Sequence, residues 1–145
     1  MFEFGTDGPS LILVGIDGSE TSMRAGAYAA GLARRQRTRL VCLFVHTSSS
    51  LAGNVPAAAA AVAGANVEIA AQLREQVETQ SASVGVDAVF VERHGNPYVE
   101  IRRAAAELRA DAVIIGASTQ AGHRIIGSLA AHLVRDAEWP ITVVP

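Results

Sequence analysis

Five short apolar runs, each separated from the next by a longer segment, constrain the fold of this chain most. The runs are LILVGI (11–16), LVCLFVH (40–46), VDAVFV (86–91), AVII (112–115) and ITVV (141–144). They are rich in branched side chains and apolar at successive positions, which is typical of strands buried on both faces in a parallel sheet. Their alternation with helical segments predicts an α/β fold, with right-handed crossovers and helices on both faces of the sheet.

The four intervening segments carry the signals of helices. Ser19 is a suitable N-cap for the first, and Asn96-Pro97 places an N-cap before a proline at the first position of the third. Helical spacing also predicts one buried stripe on each helix. Its members are Ala25, Tyr28, Ala29, Leu32 and Ala33 on the first helix; Val62, Ile69, Leu73, Val77 and Val84 on the second; Ile101, Ala104, Ala105 and Leu108 on the third; and Ile126, Leu129, Ala130 and Leu133 on the fourth.

The segment 47–64, TSSSLAGNVPAAAAAVAG, differs in composition from its surroundings. Its serine, glycine and proline content predicts a loop, with a short helix in the alanine run. Such a loop is either a tolerated surface insertion or a lid over a binding site, and the residues are compatible with both.

Length, charge and cysteine content narrow the class of protein. The 145 residues fit one domain, and the net charge of −2 provides no basic field for nucleic acid or an anionic membrane. Cys42 is the single cysteine, so an intramolecular disulfide and a cysteine zinc site are both excluded. With no leader pattern and no apolar run of spanning length, we expect a cytoplasmic protein.

The stretch 111–128, DAVIIGASTQAGHRIIGS, is the best candidate for a ligand cradle. Gly116 ends the fourth strand, and Gly127-Ser128 opens the last helix, whose first-turn N–H groups would attract an anion. A plain strand–loop–helix connection has the same pattern. His123-Arg124 lies in this loop, where it either contacts phosphate or faces water.

Asp17 follows the first strand and would meet Gly116 if the first and fourth strands are neighbours. Ligands of open parallel sheets bind beyond the carboxyl ends of the strands, where the strand order reverses. The carboxylate could hold a ribose hydroxyl or an adenine edge. Alternatively, Asp17 is a turn residue that bonds its own backbone.

Motifs for common catalytic chemistries are missing from the sequence. It contains no G-x-G-x-x-G after the first strand, no G-K-[ST], no G-x-S-x-G and no H-x-x-x-H. No spacing pairs a nucleophile with a base. We therefore predict no catalytic residues and no metal site.

Taken together, LVGIDGSE (13–20), LFVH (43–46), RHGNPYVEI (93–101) and DAVIIGAS…GSLAAHLVRDAEWPITVVP (111–145) resemble the landmarks of the universal stress protein family. The resemblance implies a single Rossmann-like domain with a five-stranded parallel sheet in the order 3-2-1-4-5, spanning residues 10–145 after an N-terminal extension, 1–9. It also implies a dimer that is produced in stress or dormancy and has no well-defined catalytic reaction.

Some members of that family bind ATP through the pattern G-x-x-G-x9-G-[ST]. Carried over by this resemblance, Asp17 and Thr47 take the nucleoside roles, Gly116 is the first glycine, and Gly127-Ser128 is the closing pair. Thr119 replaces the second glycine, and Gly127 follows Gly116 by 11 positions where the pattern requires 13. The shorter loop is more similar to the branch of the family that does not bind ATP, and Gly122 would restore some flexibility to it.

Three hypotheses follow. The first is a dimeric regulatory or protective module with a weak site for ATP or another adenine nucleotide at Asp17, Thr47, Gly116, Gly122, Gly127 and Ser128. The second is an interaction protein with unidentified protein partners and no nucleotide. The third is a nucleotide hydrolase of related fold. The sequence GIDGSE after the first strand argues against it, because it lacks the serine-glycine-glycine signature of such hydrolases.

The position of the last strand in the sheet indicates how a dimer would form. In the implied order, strand five is an edge of the sheet, and Ile141–Val144 would be an exposed apolar edge. Unpaired edges invite pairing with another copy of the same strand. We expect a homodimer through antiparallel, two-fold pairing of strand five.

Overall fold

Strands and helices alternate through residues 8–48, 54–117 and 127–145, the part of the chain that this computed structural model describes. In chain order the elements are β1 (Leu11–Gly15), α1 (Glu20–Gln36), β2 (Arg39–His46), α2 (Pro56–Val84), β3 (Ala88–His94), α3 (Pro97–Leu108), β4 (Ala112–Gly116), α4 (Ser128–Arg135) and β5 (Ile141–Val144). No helix in these ranges has both the length and the apolar character needed to cross a membrane.

All neighbouring strands pair in parallel, in the order β3-β2-β1-β4-β5, which confirms the predicted sheet. The central strand β1 is the most deeply buried, since Ile12, Leu13 and Val14 are fully inaccessible. Val14 lies opposite Cys42 of β2 and Ile114 of β4. The first and fourth strands are therefore neighbours, as predicted.

Successive side chains of β1 enter different hydrophobic clusters. Ile12 and Val14 belong to the cluster that includes buried residues of α1 and α2, whereas Leu13 belongs to the cluster that includes those of α3 and α4. Side chains alternate between the two faces of a strand, so each face of the sheet carries two helices. This confirms the predicted placement of helices on both faces.

The prediction for 47–64, a loop with a short helix in the alanine run, is wrong in the length of that helix. The alanine run is the first part of α2, a helix of 29 residues that continues through Gly64. Alanine has the highest helix propensity, and a proline is tolerated in the first turn of a helix. The alanine run therefore forms the start of a long helix and not a separate short one. Residues 49–53, which would decide between insertion and lid, lie outside the described ranges.

The third strand also differs from its prediction, since it runs from Ala88 to His94 rather than from 86 to 91. Its pairing with β2 continues to the end of that strand, where His46 lies opposite His94. Backbone pairing with a longer neighbour thus extends the strand into polar residues that the apolar pattern did not include.

The helical stripes are mostly as predicted, with two exceptions. Tyr28 and Val84 are 49% and 48% exposed, so neither belongs to a buried stripe. On α1 the fully buried positions are Ala25, Ala29 and Ala33, which are spaced by four residues and leave Tyr28 to one side. Val84 is the last residue of α2. Ile126 lies outside the described ranges.

Candidate functional site

A cavity of about 510 Å³ opens at the carboxyl ends of β1, β2 and β4. From β1 the chain turns into α1 and on to β2, whereas from β4 it passes to β5 on the other side. This is the reversal of strand order at which open parallel sheets bind ligands. Five of the six predicted binding residues line the cavity: Asp17, Thr47, Gly116, Gly127 and Ser128.

The sixth predicted residue, Gly122, lies outside the described ranges, as do Thr119, His123 and Arg124. The structure thus brings together the residues that follow β1 and β2, the end of β4 and the start of α4. The same cavity is lined by the predicted nucleoside pair, Asp17 and Thr47, and by the closing pair of the glycine pattern, Gly127 and Ser128.

The Asp17 side chain organises the turn between β1 and α1. Its Oδ1 accepts a hydrogen bond from the Ser19 N–H at 2.8 Å, and its own N–H donates to Ser22 Oγ at 3.1 Å. Partial burial raises the pKa of this carboxyl, but the hydrogen bonds from Ser19 and Ser22 outweigh it and leave the pKa below its ordinary value. Asp17 is therefore a turn residue and also a negatively charged acceptor on the cavity wall.

Gly116 has a packing reason to be glycine. A Cβ added there would lie 2.5 Å from the carbonyl carbon of Thr21 and 2.6 Å from the N of Ser22, both in the backbone of α1. The Thr21 hydroxyl donates to the carbonyl of the next residue, Ala117. The first turn of α1 thus lies directly against the end of β4, and this contact requires glycine whether or not a ligand binds.

The start of α1 is fixed by its own cap. Ser19 Oγ accepts from the Ser22 N–H at 3.3 Å, and Ser22 Oγ donates back to the Ser19 carbonyl at 3.0 Å. Thr21 and Ser22 are both buried. These bonds confirm the predicted N-cap and make this wall of the cavity a satisfied polar network.

Asn66 of α2 is a lining residue that the sequence reasoning missed. Its side-chain Nδ2 donates to the Thr47 carbonyl at 2.8 Å, which ties the middle of α2 to the end of β2. The signal was present: Asn66 is the one amide in an otherwise alanine- and valine-rich helical segment, PAAAAAVAGANV. Without the helix boundary at Pro56, nothing indicated that it faced the sheet.

The electrostatics of the cavity are weakly negative. Asp17 is the charged side chain among the described lining residues, which otherwise present hydroxyls, one amide and apolar groups. A phosphate would therefore depend on the backbone N–H groups at the start of α4, where Gly127 is an N-cap with no side-chain bond. The arrangement can bind through hydrogen bonds, but its described part has no cation to neutralise several phosphates.

Within the described ranges, no group of three or more His, Cys, Asp or Glu side chains is arranged to hold a metal ion. Cys42 is buried in β2, and burial raises the pKa of its thiol to about 12. A thiol in that environment is a small apolar group rather than a nucleophile.

The sequence and the fold are similar to those of known proteins. A family model described as the universal stress protein family matches residues 10–145. A universal stress protein family structure from Burkholderia pseudomallei is 25% identical, with a TM-score of 0.76 and coverage of 94% of this chain and 96% of that one. No curated protein sequence matches the chain significantly.

Two further structures carry nucleotides. One, from Arabidopsis thaliana with AMP bound, is 19% identical with a TM-score of 0.69, covering 94% of this chain and 91% of that one. The other, a universal stress protein in complex with cAMP, is 23% identical with a TM-score of 0.70, covering 94% and 97%. At these identities the likeness establishes the fold, and the ligands belong to those proteins.

Proposed function

The chain belongs to the universal stress protein family, and from this premise we propose that it is a dimeric regulatory or protective module that binds an adenine nucleotide weakly. In this proposal it catalyses no reaction. A cytoplasmic location, with residues 1–9 as an extension and 10–145 as the family domain, forms part of the same proposal.

The cavity at the ends of β1, β2 and β4 is the observation that supports nucleotide binding. It gathers Asp17 and Thr47, suited to a nucleoside, with Gly127 and Ser128 at the start of α4, suited to a phosphate. A volume of about 510 Å³ falls within the range of small-molecule sites. Structural neighbours named for bound AMP and cAMP support the same ligand class.

Weak binding, with little gain from additional phosphates, follows from the charges and the spacing. Asp17 lines the described part of the cavity as its charged group and repels an anion. The segment between Gly116 and Gly127 is two residues shorter than the ATP pattern, so fewer N–H groups are available to a triphosphate. We expect AMP and cAMP to bind at least as tightly as ATP.

Isothermal titration with AMP, cAMP and ATP at millimolar concentration tests the site. Binding should be lost in Asp17→Ala and kept in Asp87→Ala, a matched control whose carboxylate pairs with Arg39 at the other end of the sheet. Flat titrations with all three nucleotides would remove this mechanism. The second hypothesis, an interaction protein that binds no nucleotide, would then remain. The incomplete glycine pattern also favours that hypothesis.

The edge strand β5 supports the proposed homodimer. It pairs with β4 on one side and is the last strand of the sheet. Ile141 and Val143 pack against one hydrophobic cluster and Val144 against the other, so the strand is half-buried rather than the freely exposed edge that the sequence suggested. Its outer backbone groups remain those of an edge.

Light scattering of a matched pair of variants tests the dimer. Near a two-fold axis a lysine meets its own copy, so Thr142→Lys in β5 should shift the protein from dimer to monomer. Val89→Lys places the same charge on β3, at the opposite edge of the sheet, and should leave the mass unchanged. A monomeric parent protein at micromolar concentration would contradict the proposal.

A further inference from the structure

A second cavity, of about 330 Å³, lies between the carboxyl ends of β2 and β3 and the first half of α2. It adjoins the first cavity, with Thr47 and Asn66 in the wall between them. The lining is polar at the strand ends and, apart from Asn66, apolar along the helix. Its members are His46, Thr47, Ser48, Ala59, Val62, Ala63, Asn66, Val67, His94 and Gly95.

Two imidazole rings form the polar end. His46 and His94, opposite each other in neighbouring strands, stack with ring centroids 4.4 Å apart and planes 10° from parallel. His46 Nε2 lies 2.9 Å from Glu92 Oε1, and Glu92 also pairs with Arg74. The hydrogen bonds from His46 and Arg74 lower the pKa of Glu92, so the carboxylate accepts and His46 Nε2 donates.

His94 is in a different position from its stacked neighbour. Among the described residues no side chain or backbone group is hydrogen-bonded to its ring, and the residue is exposed. The hydroxyls of Thr47 and Ser48 line the same cavity. This end therefore offers an imidazole and two hydroxyls that a ligand can engage, next to a histidine whose orientation Glu92 already sets.

The opposite wall consists of aliphatic side chains of α2: Ala59, Val62, Ala63 and Val67. Val67 is 62% exposed, so much of its apolar surface is in contact with solvent. The sequence from 40 to 67 contains no Asp, Glu, Lys or Arg, so this wall is uncharged over its whole length. It would gain free energy from covering by an apolar group.

We propose that this second cavity binds a small monocarboxylic acid with a short, unbranched aliphatic body. The carboxylate accepts hydrogen bonds from the His94 ring and the Thr47 and Ser48 hydroxyls, and the hydrocarbon lies along the Val62 wall. Among the described lining residues there is no carboxylate, and the nearby Glu92 is already paired with His46 and Arg74. The His94 ring and the Thr47 and Ser48 hydroxyls can each donate a hydrogen bond, so an anionic head is favoured over a cationic one. The proposal does not depend on nucleotide binding in the first cavity.

Titration of the isotopically labelled 145-residue chain with acetate, butyrate and hexanoate, followed by NMR, tests this site. Resonances of Val62, Ala63 and His94 should shift. Each added methylene should tighten binding by up to about fourfold, the factor that burial of one CH₂ supplies. Hexylamine, with a comparable chain and a cationic head, should leave these resonances unchanged.

Two variants and one control complete the experiment. His94→Phe keeps an aromatic ring on the stack but removes its nitrogens, and should weaken hexanoate binding tenfold or more. Val62→Trp should abolish hexanoate binding by filling the cavity, whereas Val134→Trp, an exposed position on α4, should not. Equal binding of hexanoate and hexylamine, affinity independent of chain length, or full binding by His94→Phe would overturn the proposal.

Discussion

Helices α1 and α2 cover the same face of the sheet but are held in different ways. The 17 residues of α1 include five buried ones, two of them polar, whereas the 29 residues of α2 include only Ala70 and Leu73. Contacts of α1 extend to β1, β2, β4 and β5, while those of α2 are with β2 and β3. The shorter helix is therefore anchored over most of the sheet, and the longer one mainly through its middle.

Their first turns show the same difference. Ser19 caps α1, and Gly116 lets the backbone of its first turn lie against β4. The first residues of α2 follow Val55, which provides no side-chain cap. Anchoring thus depends on caps and close backbone contact rather than on helix length, and the loosely held half of α2 is the part that forms the wall of the second cavity.

The largest expected effect concerns the tight contact of α1. Gly116→Ala should lower the free energy of unfolding by about 3 kcal/mol, because backbone atoms of Thr21 and Ser22 must move away from the new methyl group. Chemical denaturation measures the change. In α2, Gly64→Ala meets no atom within 4 Å and should instead stabilise the protein by about 0.7 kcal/mol. Equal effects at the two glycines would refute the comparison.

Leu73 tests whether α2 is held through its middle. Leu73→Ala removes a side chain that is only 4% exposed and should cost about 2 kcal/mol in denaturant unfolding. Val67→Ala, six residues earlier on the same helix, should change the stability by less than about 0.5 kcal/mol because that side chain is already largely in solvent. A large loss at Val67 would mean that the first half of α2 is anchored after all.

The N-terminal cap can be removed from α1 and a cap can be added to α2. Ser19→Ala removes the acceptor for the Ser22 N–H and should lower the stability by about 1 kcal/mol. Val55→Ser adds a capping hydroxyl to α2 at a residue with extended backbone, and should raise the stability by about 0.5 kcal/mol. Thermal unfolding of both variants, with circular dichroism for helix content, would show whether only α1 depends on its cap.

The smallest effect lies at the other end of the sheet, away from both cavities. Asp111 Oδ2 accepts from the Ser10 N–H at 2.7 Å, the Ser10 hydroxyl at 2.9 Å and the Leu11 N–H at 3.0 Å. The bonds from Leu11 and Ser10 lower the pKa of this carboxyl below 3.8.

Because the folded-state pKa is depressed, this stabilisation is complete above pH 3.8 and is lost as the pH falls through the lower folded value. Asp111→Asn should be slightly less stable at neutral pH, and the difference from the parent should shrink in acid. Unfolding measured from pH 7 to pH 2 checks this. A difference that stays constant over that range would exclude the carboxylate as its source.

Much of the architecture was predictable because it depends on local pattern. Runs such as LILVGI mark doubly buried strands, and Ser19 and Asn96 mark helix starts that the structure confirms. The boundaries that failed depend on neighbours: β3 is longer because β2 is there to pair with it, and α2 is longer because its alanines needed only a start at Pro56.

For the candidate site, the sequence by itself determined which residues follow the strands, and hence that Asp17, Thr47 and Gly116 lie at the same end of a parallel sheet. That the first and fourth strands are neighbours was implied by the family resemblance. Only the tertiary structure decided why Gly116 must be glycine, that Asn66 reaches Thr47, and that His46 and His94 stack beside an aliphatic wall. These are contacts between residues far apart in the chain. They depend on how helices seat on the sheet, which periodicity along one segment does not specify.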